Sequence, residues 1–160
     1  MCIRDRDKGT LAGVSVNDPV ITNSGVVGWV SSVNAAYCKV TTILSADTSI
    51  AALDKVNRES GVIGSDLHLA DEGVVKLCYL TAETEVKVGD IIVTSGLGGI
   101  YPKDLPVGKV LEVRPEEYDV SYCAIVEPFV DVKTLRDVFI ITDFQGQGEV
   151  LADFTDPEEE

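Results

Sequence analysis

Residues 93–110, VTSGLGGIYPKDLPVGKV, constrain the fold more than any other part of the chain. Three glycines, Gly96, Gly98 and Gly99, interrupt one β-rich run, and a second begins at Val107. Glycine tolerates φ > 0 and lets backbones approach closely. Pro102 and Pro106 lack an N–H donor and hold φ fixed, so neither is expected in a central strand. The segment reads as strand, shaped loop, strand, with Gly108 just inside the second strand.

Val, Ile and Thr are frequent, and glycine occurs 14 times in 160 residues. Together these favour an all-β chain with many turns. The formal charge is −14. From Glu149 onward there are six acidic residues and no Lys or Arg, leaving 21 acids against 13 bases before it. Residues 146–160 are expected to form an acidic, disordered tail. So negative a chain repels phosphate backbones, which excludes nucleic-acid binding as a main role. No apolar run reaches the ~18 residues of a membrane helix, and no signal-peptide pattern opens the sequence. Any membrane anchor is therefore expected upstream of this segment.

Residues 1–6, MCIRDR, carry no strand pattern and precede a β-type segment abruptly. They read as a cloning or assembly scar, excluded from the fold, and Cys2 with them. Cys38, Cys78 and Cys123 are widely spaced, contain no CxxC pair and are odd in number. A zinc site or disulfide framework is not expected, and each reads as a small buried hydrophobe.

A degenerate repeat runs through the chain. Residues 16–22 (VNDPVIT) match 88–94 (VGDIIVT), and 27–33 (VGWVSSV) match 107–113 (VGKVLEV). Residues 37–40 (YCKV) match 122–125 (YCAI) in the same order. Two copies of one supersecondary arrangement are implied. Strands are expected at 19–22, 26–33, 39–44, 49–54, 61–65, 74–80, 90–95, 107–113, 123–127 and 138–143, from alternation and turn punctuation. Residues 49–58 also fit a short helix, and 132–138 a single helical turn. The repeat places a boundary near Ser60, with residues 61–145 forming a six-stranded barrel. Residues 7–60 hold about four strands, so they form a first barrel lacking its opening strands.

The run TSGLGGIYP…LPVGKV, with Val86–Asp90 before it and Val126-Glu127-Pro128 after it, resembles the rod shape-determining MreC family. Asp7-Lys8-Gly9 and Val26-Val27-Gly28 extend the resemblance over nearly all of residues 7–143. It implies two small six-stranded β-barrels of chymotrypsin-like architecture, without the family's membrane helix and coiled coil. It implies a non-enzymatic scaffold of the cell-elongation machinery, on the outer side of the cytoplasmic membrane. Implied partners are class B penicillin-binding transpeptidases, the membrane protein MreD, the actin-like MreB system and further copies of itself.

Catalysis was weighed against that reading. A serine triad needs a histidine base. The sole histidine, His68, sits in a presumed surface loop, and Ser95 reads as a turn serine before Gly96. The glycine loop lacks the GKS/T of a phosphate-binding loop. Asp90 with Glu83 or Glu85 carries no carboxylate-pair or metal signal in so acidic a chain. No catalytic, metal or cofactor residue is assigned. The rival readings are a chymotrypsin-like hydrolase and a glycan- or ligand-binding barrel. Ile100, Tyr101 and Leu105, on the glycine loop, either face a partner or plug a barrel end. Trp29, at the position matched by Lys109, either caps the first barrel or faces a partner.

Overall fold

The computed structural model describes residues 3–6, as a paired strand only, and 9–148. Eleven strands are described: β1 (Ile3–Arg6), β2 (Pro19–Ile21), β3 (Val26–Val33), β4 (Cys38–Thr42), β5 (Ile50–Asp54) and β6 (Ser60–Gly64). They continue with β7 (Val75–Leu80), β8 (Ile91–Thr94), β9 (Pro106–Pro115), β10 (Tyr122–Pro128) and β11 (Phe139–Ile140). One helix, α1 (Leu67–Glu72), lies between β6 and β7. The all-β expectation holds. Strands β10-β7-β6-β5-β8-β9 close into a six-stranded barrel, and β1-β4-β3-β2-β11 form a five-stranded sheet. The first of the two expected barrels is thus an open sheet here.

The division between the two parts differs from the expected boundary at Ser60. Strand β5 pairs with both β6 and β8, so residues 50–54 belong to the closed barrel. Phe139 and Ile140 return to the first sheet, opposite Ile21 and Val20. Residues 49–58 are strand and turn rather than helix: Ile50, Ala52 and Leu53 are buried, and pairing on both sides satisfies the backbone. Residues 132–134 form a turn and a bend without a helical turn.

The repeat is present at hydrogen-bond resolution. In β2–β3, Pro19, Val20 and Ile21 face Trp29, Gly28 and Val26; in β8–β9, Ile91, Ile92 and Val93 face Lys109, Gly108 and Pro106. Both pairs shift register at the same place. Ahead of each, an Asp carboxylate accepts a backbone N–H at 2.7 Å, Asp18 from Ser15 and Asp90 from Lys87. Asn17 and Gly89 both take left-handed φ, 72° and 95°. A Cβ on Gly28 would fall on the Thr41 carbonyl, and one on Gly108 on the matching Glu127 carbonyl. Close strand approach therefore requires glycine at both sites.

The third repeat block is offset by one residue from the sequence match. Val33 faces Cys38 and Val113 faces Ala124, so the counterpart of Cys38 is Ala124, not Cys123. Each copy skips one residue of its middle strand, Ser31 in β3 and Leu111 in β9. The correspondence continues outward. Arg6 faces Cys38 as Leu77 faces Ala124, so β1 stands where β7 stands in the barrel. Likewise β11 faces β2 as β5 faces β8. Among the described residues no strand corresponds to β6.

Residues 3–6, set aside as foreign to the fold, are therefore paired within it. Main-chain bonding to an open strand edge needs no particular side chains, so a segment without a strand pattern can fill that place. Residues 144–148, whose last three open the expected tail, form a turn in which the Gly148 N–H donates to Gly99 at 3.0 Å. Residues 149–160 lie outside the described residues.

One apolar core joins the two parts. Val20, Val30 and Val40 from the sheet and Ile63, Leu77, Ile92 and Val126 from the barrel belong to a single cluster, all at 2% exposure or less. Among the described residues no helix is long and apolar enough to cross a membrane.

Candidate partner-binding surfaces

The glycine loop, residues 95–105, joins β8 to β9 and is pinned by Thr94. The buried Thr94 hydroxyl donates to the Pro102 carbonyl at 2.6 Å and accepts the Leu105 N–H at 2.9 Å. The Thr94 backbone bonds Leu105 and Asp104 as well, both at 2.9 Å. Gly96, Gly98 and Gly99 all take positive φ, 79°, 83° and 65°. Pro106 differs from expectation by opening β9 itself, at the register shift opposite Val93. The first position of a strand tolerates its missing donor.

The loop does not present its apolar residues as one exposed cluster. Tyr101 is 6% exposed and its hydroxyl has no partner among the described residues, while burial pushes its phenol pKa well up. Leu105 is half-buried and packs on the core, while Ile100 stays 39% exposed. Ile100 and Tyr101 meet the half-buried Trp29 around a crevice of about 180 Å³, lined also by Asn17, Asp47 and Ile50. Three of the four residues singled out from the sequence thus come together, and Leu105 lies outside that lining. Thr94, which fixes the loop, opens the TSGLGGIYP run, but nothing in the run assigns it that role.

The residues weighed for catalysis are scattered. His68 lies on α1, not in a loop. Its helix is capped by Asp66, whose carboxylate accepts the Leu69 N–H at 2.9 Å, and is ended by Gly73 at φ 75°. The imidazole is exposed, 3.5 Å from Glu72 one turn on. Ser95 accepts the Leu97 N–H at 3.2 Å, as a turn serine does. Asp90 stands beside Asp54 rather than Glu83 or Glu85. Burial, helped by the Asp90 carboxyl, raises the Asp54 pKa against the lowering by the Val56 N–H, bonded at 2.6 Å. Among the described residues no group of three or more His, Cys, Asp or Glu is placed to hold a metal.

Cys38 and Cys123 are buried and Cys78 half-buried. Burial pushes Cys78 up to about 11 and raises Cys123, so neither is primed as a nucleophile. Beside Cys123, Lys76 of β7 bonds Glu116, in the β9–β10 turn, at 2.9 Å. That hydrogen bond raises the lysine pKa and lowers that of the glutamate.

A family model described as "Rod shape-determining protein MreC, barrel core" matches residues 7–142, leaving β1 outside. The cell shape-determining protein MreC of Escherichia coli K12 is 32% identical over 135 residues, covering 84% of this chain and 36% of that protein. This chain thus spans little more than a third of that relative's length. The crystal structure of MreC from Pseudomonas aeruginosa superposes with a TM-score of 0.79 at 26% identity, covering 87% and 88% of the two chains. MreC from Helicobacter pylori, solved in complex with the penicillin-binding protein PBP2, shares the fold. Its TM-score is 0.64 at 20% identity, over 77% and 75% of the chains. The chain belongs to the MreC family of rod shape-determining proteins, and residues 7–142 are its barrel core.

Proposed function

We propose that this chain works by binding, as a non-enzymatic scaffold that holds a class B penicillin-binding transpeptidase within the cell-elongation machinery. The observation that carries the reading is the fold shared with an MreC that was solved together with PBP2. Exposed apolar side chains on the loops of the barrel fit it: Ile100 at the crevice, and Tyr118 and Val120, at 95% and 93% exposure, on the β9–β10 turn. Self-association, contacts with MreD and the MreB system, and an extracytoplasmic position anchored by an upstream helix belong to the same reading.

The test is co-sedimentation and pull-down of the 160-residue chain with a class B transpeptidase ectodomain. Complex formation is expected, weakened roughly tenfold by Ile100→Ser combined with Tyr118→Ser. A folded chain that leaves the transpeptidase in the supernatant at high concentration removes the scaffold reading.

A further inference from the structure

The repeat supplies an internal control for surface exposure. The positions of Ile91, Pro106 and Phe129 in the second copy are those of Pro19, Val26 and Ile43 in the first. In the first copy all three are buried, Val26 and Ile43 completely. In the second, Ile91 is 37% exposed, Phe129 40%, and Pro106 is exposed too. The same apolar chemistry is covered once and left open once.

The open copy lines a groove of about 670 Å³ together with Val93, Ser24, Lys55, Arg58 and the acid Asp104. Arg58 reaches the Asp104 carboxylate at 3.5 Å, with both side chains about half exposed, which is a weak pairing. Lys55 makes no ion pair among the described residues. An apolar floor beside Lys55 and the weakly paired Arg58 selects a segment with a single well-placed carboxylate, because the chain's formal charge of −14 repels a polyanion.

We propose that this groove docks a segment of a protein partner that sets an aromatic or aliphatic side chain against Ile91, Pro106 and Phe129 and a carboxylate against Lys55 and Arg58. The proposal rests on the binding role given above, and adds the chemistry of what is bound. Burying the apolar side chain supplies affinity, and the carboxylate supplies register and discrimination against basic segments.

The experiment is fluorescence anisotropy of the whole chain with a labelled peptide holding one phenylalanine and one glutamate in an otherwise neutral sequence. Saturable binding is expected. It should weaken roughly tenfold with Lys55→Glu plus Arg58→Glu. The same peptide with serine for phenylalanine, or lysine for glutamate, should bind far more weakly. Absence of saturation, indifference to the charge reversals, or equal binding of the serine peptide overturns the proposal. So does a dimer that dissociates on the charge reversals, which would give the groove to a second copy. If the probe binds only after Leu151→Ser and Phe154→Ser, the groove belongs to the chain's own residues 149–160, and the partner is overturned. No transpeptidase is present, so failure here is separate from failure of the pull-down.

Discussion

Lys76 and Glu116 show how much one pair of side chains ties together. Their 2.9 Å bond links the outer face of β7 to the β9–β10 turn beside Cys123. Glu116 titrates below its ordinary 4.5 in the folded chain, chiefly through the Lys76 hydrogen bond. Its contribution is therefore present above the unfolded value and lost as pH falls through the lower folded one. Glu116→Gln is expected to cost about 0.5–1 kcal/mol near neutral pH, a partly exposed pair being worth no more. That difference should shrink as pH falls below 4.5. Urea melts of both proteins across pH 3–7 test this, and a pH-independent difference would contradict it. Nothing in the sequence pairs residues 40 positions apart, so this bond was not legible there. Gly108 was legible as a glycine that matters. That it serves close strand approach, at negative φ, emerges only from the Glu127 carbonyl opposite.

At the scale of elements, alternation and turn residues located ten of the eleven strands. They missed β1, whose residues, Ile3 to Arg6, have no such pattern. They also missed α1, although its signals were present: Asp66 at the N-cap and Gly73 just past the end. The repeat was legible except for its third block, where the matching Tyr-Cys pairs sit one residue out of register with the strand pairing. The shortest described strand, β11, joins the first sheet by pairing with β2 and by an Ile141 N–H bonded to Pro19 at 2.9 Å. Ile141→Pro removes that donor and is expected to cost about 1–3 kcal/mol. Amide exchange should accelerate at Val20 and Ile21, with the barrel strands unchanged. Acceleration spread evenly over β5–β10 would show instead that β11 supports the whole molecule.

Across the whole molecule, the sequence indicated two units, and the core is one. Val40 in the sheet and Val126 in the barrel lie in the same cluster, so the two parts are expected to unfold in a single transition. Val40→Ala and Val126→Ala should each lower that transition, by roughly 1–3 kcal/mol for a buried side chain cut short. Calorimetry resolving two peaks, each moved by only one of the substitutions, would separate them after all. The sequence could not reveal this unity, because a repeat records ancestry of strands rather than which faces they bury. Read along the chain, the closed barrel is an insertion between the fourth and fifth strands of the open sheet, entered after Thr42 and left before Phe139. Strands β1 and β11 are the two outer edges of that sheet. Tension entering at residues 3–6 and leaving at 139–140 is therefore borne first across the sheet's hydrogen bonds, strand by strand, before it reaches the barrel.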